Sequence, residues 1–194
     1  MKTTLDQSHR VVLANFGIFR RAQQCVEEIT SYVWDVLREI ANELPVSADP
    51  SAHVAFDTKD GGWLEVRAFP NWGGTEYPLI SIGIMNLKVI DLLAEDGAEE
   101  CRAYVYSIPL QDAAQPAARK SLADQLRTLQ PPDGFALARP NMHGYLFVKK
   151  LEAISADVLC SRPQLKNFFS TPLNELVVWL EVNKAKIASF SVPR

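Results

Sequence analysis

Residues 52–85 decide the fold, and they read AHVAFDTKDGGWLEVRAFPNWGGTEYPLISIGIM. Apolar and polar side chains alternate within three segments, 52–58, 63–69 and 77–85, which is the period of half-buried β-strands. The connections between these segments are rich in glycine, as turns are. A fourth alternating segment runs from 101 to 108. The stretch therefore predicts an antiparallel meander of three to four strands.

Helical patterns precede and follow these strands in the sequence. Apolar residues recur every three or four positions through 22–44, and Pro45 ends the pattern because proline has no amide hydrogen to donate. Segment 11–19 is also apolar but contains Gly17, so we expect a short separate helix or a bend there. Residues 112–129 predict a helix at the surface, because its apolar stripe is narrow.

The rest of the chain adds smaller elements and a last helix. Residues 87–93 predict a short helix, and the alternation through 143–150 predicts a further strand. Thr171 followed by Pro172 is a typical helix start, so we expect the last helix over 171–190. Helices that flank a run of strands predict an α+β fold. Its antiparallel sheet would carry one or two later strands and pack with a long N-terminal helix, a middle surface helix and a C-terminal helix.

The chain of 194 residues has the length of a single domain. Hydrophobic residues make up 47% and charged residues 22%, which excludes an intrinsically disordered or collagen-like chain. We expect one α+β domain over 1–194. Within it, 1–45 would form an N-terminal helical segment, 52–150 the sheet with its inserted helix, and 171–190 the C-terminal helix.

Charge and cysteine content narrow the class of partner. The formal charge is −3 and no basic cluster stands out, so a nucleic-acid partner is not expected. Apolar runs are shorter than the roughly 20 residues that cross a bilayer, and the first ten residues lack the apolar core of a signal peptide. We therefore expect a cytoplasmic protein with no membrane partner. The three cysteines are widely spaced and do not have the spacing of metal ligands, so we expect them to be buried free thiols. We expect no cofactor.

One hairpin carries a candidate for chemistry. Matching the apolar faces of its two strands with a three-residue loop places Asp57 directly opposite Glu65, with Arg67 two positions along. Two facing carboxylates repel each other unless a cation intervenes. A metal-dependent nuclease would use such a pair as metal ligands, with an acid from the preceding helix, here Glu39 or Glu43. Arginine in place of the expected lysine departs from that pattern, because arginine stays protonated.

The same face of the sheet is a candidate for binding. It presents large apolar side chains, and the loop 70–76 adds a tryptophan between polar and glycine residues. Soluble proteins rarely leave such a patch open, so either the chain's own helices or another protein must cover it. The candidate binding residues are Trp63, Phe69, Trp72, Tyr77 and Leu79.

The sequence favours a protein-interaction module over an enzyme. It contains no phosphate-binding glycine loop, no nucleophile elbow and no His-Glu-x-x-His motif. The element order is similar to that of the type III secretion chaperones and of restriction-endonuclease-like nucleases. We therefore expect a chaperone-like or inhibitor-like module that binds another protein or a second copy through the sheet face and the 70–76 loop. The alternative is a divergent metal-dependent nuclease that uses Asp57 and Glu65.

Overall fold

A computed structural model describes most of the predicted elements. The residues it describes are 6–44, 53–57, 62–67, 80–92, 104–109, 124–138 and 145–189. The helices are α1 (Gln7–Ala14), α2 (Phe16–Glu43), α3 (Ala156–Cys160) and α4 (Arg162–Ala188), with a 3-10 turn at Val89–Leu92 and helical residues at 124–126. The strands are β1 (His53–Asp57), β2 (Gly62–Arg67), β3 (Ile80–Leu87), β4 (Tyr104–Pro109), β5 (Ala136–Leu137) and β6 (Phe147–Lys150). The prediction of a mixed chain with antiparallel pairing is confirmed.

The strands lie side by side in the order β1-β2-β3-β4-β6-β5, and each neighbouring pair is antiparallel. Leu64 of β2 lies opposite Ile84 of β3, and Val66 lies opposite Ile82. All four side chains are fully buried. Because successive strand residues point to opposite faces, these four positions mark the face of the sheet that packs into the core.

The register of the first hairpin differs from the prediction by two positions. The structure pairs Asp57 with Trp63 and Ala55 with Glu65, so Asp57 does not lie directly opposite Glu65. A shift of two residues keeps every side chain on its own face, and the hydrophobic pattern therefore cannot distinguish the two registers. The predicted direct pairing of Asp57 with Glu65 is therefore wrong.

The two long helices share one hydrophobic core with the sheet. The helices α2 and α4 pack against each other, and both join the cluster that contains Leu64 and Ile82. The buried side chains of α2 begin at Val33. The apolar side chains of the two helices in this core are Val33, Trp34, Val36, Leu37, Ile40, Ala41, Leu165, Phe169, Leu173, Leu176, Val177, Trp179, Leu180 and Ile187.

The last helix is longer than predicted. It begins at Arg162 after the N-cap Ser161, nine residues before the predicted start at 171, and Pro172 lies inside it. An interior proline costs about 3 kcal/mol because it removes one helical hydrogen bond and crowds the preceding turn. The helix persists because Leu165 and Phe169, both fully buried, hold the turns before the proline in the core.

The N-terminal region divides into two helices. A break at Asn15 separates α1 from α2. It lies inside segment 11–19, where the sequence predicted a short separate helix or a bend, so no separate helix spans 11–19. The long helix begins at Phe16 instead of residue 22, and Gly17 lies within it. The middle helix predicted over 112–129 lies outside the described residues except for 124–129, of which 124–126 are helical.

Candidate functional site

The most distinctive surface of the described chain is its N-terminal helical region. We call residues 7–29 the N-terminal arm. Helix α1 contains no buried residue, and every side chain of α2 as far as Ile29 is exposed. Many of these side chains are large and apolar: Val11, Val12, Leu13, Phe16, Ile18, Phe19, Val26 and Ile29. Ile18, for example, keeps 70% of its surface open.

The apolar stripe of α2 runs through both halves of the helix, but the core covers only the second half. Phe19, Ala22, Val26 and Ile29 are spaced by three and four residues, and the same spacing leads on to the fully buried Val33. Such spacing places all these positions on one side of the helix. The arm therefore presents a continuation of the core-facing stripe to the exterior.

Two of the cysteines lie at the surface, contrary to the expectation of buried thiols. Cys25 and Cys160 are both free and exposed. Cys25 is exposed because it belongs to the half of α2 that lies outside the core. Cys160 is the last residue of the short helix α3. Cys101 lies outside the described residues.

Glu39 and Glu43 of α2, the acids predicted for a nuclease site, contact α4 instead. Arg162 donates from Nη2 to Glu39 Oε2 at 2.7 Å, and Lys166 donates from Nζ to Glu39 Oε1 at 2.7 Å. Lys166 also reaches a carboxylate oxygen of Glu43 at 2.7 Å. The hydrogen bonds from Lys166 and Arg162 hold the pKa of the Glu39 carboxyl below its usual value, and Glu39 and Glu43 raise the pKa of Lys166. We call these four residues the α2–α4 ion cluster.

The predicted catalytic residues lie on neighbouring positions of β1 and β2. Asp57 pairs with Trp63, Glu65 is two residues further along β2, and Arg67 lies at the end of that strand. Asp57 and Glu65 are therefore diagonal neighbours on the two paired strands, and such positions are typically about 7–8 Å apart. Burial raises the pKa of the Tyr145 hydroxyl, and the charge of Glu65 raises it further. Glu65 thus lies near Tyr145.

No metal centre is assembled in the part of the chain that the structure describes. Within those residues, no group of three or more His, Cys, Asp or Glu side chains could hold a metal ion. Glu39 and Glu43 are neutralised by α4 cations. The metal-binding role of Asp57 and Glu65 stays a prediction.

The predicted binding face can be assessed at one position. Trp63 keeps 36% of its side chain open on β2. The other candidates, Phe69, Trp72, Tyr77 and Leu79, and the whole loop 70–76 lie outside the described residues.

A smaller apolar surface lies on α4. A groove of about 600 Å³ runs between this helix and the segment that contains Pro131 and Pro132. Trp179 forms part of its wall and donates its indole N–H to the carbonyl oxygen of Gln130 at 2.7 Å. Val182 lines the same groove and is 78% exposed.

Comparison with known proteins gives no family for this chain. No protein-family model matches it, and neither do any of the curated proteins or solved structures. The helices in the described residues are too short or too polar to span a membrane. The surface geometry of the chain itself is therefore the basis for a functional proposal.

Proposed function

We propose that this chain is a protein-interaction module whose docking surface is the N-terminal arm. The observation that carries the proposal is the apolar stripe from Phe19 to Ile29, which faces outward while its continuation from Val33 is buried. Contiguous exposed apolar surface on a folded protein is typical of a site that another protein covers. Burial of apolar surface stabilises a protein or a complex by about 25 cal/mol of free energy for each Å², and these side chains lack that stabilisation while they face water.

The arm is the better supported of two docking surfaces. The sheet face and the 70–76 loop were the surface expected from the sequence, and of their five binding residues only Trp63 is described. The arm, by contrast, offers eight large apolar side chains in two consecutive helices. A chaperone-like or inhibitor-like role in the cytoplasm remains part of the proposal, and the arm replaces the sheet face as its main contact surface.

Site-specific photo-crosslinking tests the proposal. A benzophenone side chain at Ile18 lies on the exposed arm, and the same group at Gln164, an exposed position of α4, serves as the control. Illumination in native extract is expected to join position 18 to a second polypeptide, whatever its identity, far more efficiently than position 164. Crosslinks from position 18 that stay within the same chain would show that the chain covers its own arm, and would contradict the proposal.

One substitution and one metal titration distinguish the nuclease alternative from this function. Asp57→Asn should leave an interaction module folded and able to dock, because β1 keeps its pairing with β2. A metal enzyme should lose both its activity and its metal. Calorimetric titration with Mg²⁺ or Mn²⁺ is expected to give no binding heat in the wild-type chain. Binding that Asp57→Asn abolishes would favour the nuclease.

A further inference from the structure

We propose that the groove between α4 and residues 131–133 binds a short peptide segment of another protein, in which aliphatic side chains accompany a lysine or an arginine. The groove shares no residue with the N-terminal arm, so this inference adds a second docking surface and goes beyond the proposed function. Three features of the groove point to this ligand: walls that are held together, an apolar strip along α4, and a negative charge at the edge.

The two walls of the groove are held together by side-chain contacts. Trp179 of α4 donates its indole N–H to the carbonyl oxygen of Gln130, the residue before the two prolines of the opposite wall. Lys149 of β6 donates to Glu175 of α4 at 2.7 Å, and its Nζ lies 5.5 Å from the centroid of the Phe135 ring. A preformed site pays little conformational entropy on binding, so the groove has its shape before a ligand arrives.

The wall that α4 provides carries an open apolar strip. Val178 and Val182 line the groove with 62% and 78% of their surface exposed. They are one helical turn apart, about 6 Å along the axis, so two aliphatic side chains of one ligand can pack against them at the same time. Burial of this surface is the main favourable contribution that the groove offers to binding.

The dimensions of the groove fit a peptide. It follows α4 from Thr171 to Val182, which is about 16 Å at 1.5 Å per residue. That length corresponds to about five residues of extended chain. The volume of about 600 Å³ is typical of a site that binds a ligand of this size.

The charge of the groove is negative. Asp133 and Glu175 are among the described residues that line it, and no lysine, arginine or histidine is among them. Lys149 neutralises Glu175, whereas Asp133 is exposed and forms no ion pair within the described residues. A carboxylate without a counter-charge beside an apolar strip favours a cationic side chain from the ligand and disfavours an acidic one.

A tight turn holds Asp133 at the edge of the groove. The backbone N–H of Phe135 donates to the carbonyl oxygen of Pro132 at 3.0 Å, and Gly134 has φ +71°, a conformation that favours glycine. The carboxylate is therefore attached to a defined backbone next to the apolar strip. A ligand contacts both only if its base and its aliphatic side chains are close together, as they are in one short peptide segment.

Selection from a random peptide library displayed on phage tests the ligand chemistry. The library is first depleted on the Val178→Glu variant and then selected on the wild-type chain. The selected peptides are expected to carry a lysine or an arginine within a few positions of two aliphatic residues. Recovery of no peptide, or of peptides that lack a base, would overturn the inference.

Fluorescence anisotropy with the tightest selected peptide then locates its site. Val182→Glu should raise the dissociation constant at least about tenfold, because it places a charge in the apolar strip. Val12→Glu, the same change at an exposed position of the arm, is the control and should leave the constant unchanged. Both valines are exposed, so neither change should unfold the chain.

A second pair of variants tests the charge. Asp133→Asn should raise the dissociation constant of the same peptide about two- to fivefold at low salt, as expected for an exposed ion pair, and the difference should disappear at high salt. Asp157→Asn, which removes an exposed acid of α3, is the control and should have no effect. Equal affinity of the wild type and Asp133→Asn at low salt would contradict the proposed ligand.

These outcomes are separate from those of the proposed function. Failure of the groove to bind a peptide leaves the crosslinking expected from position 18 of the arm unchanged. Crosslinks from position 18 that stay within the chain would contradict the arm and leave the groove intact. If Val12→Glu weakens the peptide and Val182→Glu does not, the peptide binds the arm and the groove site is wrong.

Discussion

Gly83 of β3 offers the clearest test of how the sheet is built. An ideal Cβ at this position would overlap the carbonyl oxygen of Leu64 and lie 3.0 Å from the carbonyl carbon and 3.1 Å from Glu65 Cα. All three atoms belong to the backbone of β2, so no side chain can move aside. Gly83→Ala must therefore push two paired strands apart at a buried position.

The expected loss follows from that geometry. Extra methyl groups in a packed interior cost about 1–3 kcal/mol, and we expect the upper end, about 3 kcal/mol, because backbone has to move. That is a large fraction of the 5–15 kcal/mol by which domains are typically stable. With a urea dependence of about 2 kcal/mol per molar, the unfolding midpoint should fall by about 1.5 M.

A matched substitution controls for the change from glycine to alanine itself. An ideal Cβ at Gly17 in α2 has nothing within 4 Å. Gly17→Ala should cost no stability and should raise it by up to about 1 kcal/mol, since alanine favours the helix. Urea unfolding followed by circular dichroism measures both variants. A Gly83→Ala midpoint equal to that of the wild type would refute the close approach of β2 to β3.

Two other predictions follow from the described contacts. The pKa of the Glu39 carboxyl is lower in the folded chain than in the unfolded chain. The α2–α4 ion cluster therefore stabilises the fold at pH values above the unfolded pKa. This stabilisation is lost as the pH falls through the folded pKa. Glu39→Gln should therefore flatten the acid-side loss of the urea midpoint, and equal slopes for the two proteins would contradict the cluster. Trp179→Phe keeps an aromatic ring beside Phe147 but loses the hydrogen bond to Gln130, at an expected cost of about 0.5–1.5 kcal/mol in urea unfolding; an unchanged midpoint would show that the bond contributes nothing.

The sequence predicted the element types well because they follow from local periodicity. The alternation around Leu64 and Val66 identified a strand, and the three-four spacing through Val33 identified a long helix. The register of the first hairpin was wrong by two positions, since a pattern with period two is unchanged by a shift of two. The early start of α4 was missed because Pro172 is a typical first residue of a helix, and only the packing of the preceding turns shows that it lies inside one.

The candidate site was harder to predict for a related reason. The stripe containing Ala22, Val26 and Ile29 was visible in the sequence, but a stripe has the same appearance whether it faces a sheet, a second chain or solvent. Which part of it the core covers depends on where α4 and the sheet end, and these are long-range contacts that local spacing does not encode. Glu39 was proposed for a metal site because the sequence does not show that Arg162 and Lys166 reach it.

Alkylation of the two exposed thiols, followed by mass spectrometry, tests the proposed docking surface most directly. Cys25 lies in the N-terminal arm and Cys160 ends α3, and both are free and exposed in the single chain. If another protein covers the arm, Cys25 should be alkylated more slowly in native extract than in the purified chain, whereas Cys160 should react at the same rate in both. Equal rates for Cys25 in extract and in the purified chain would contradict the account.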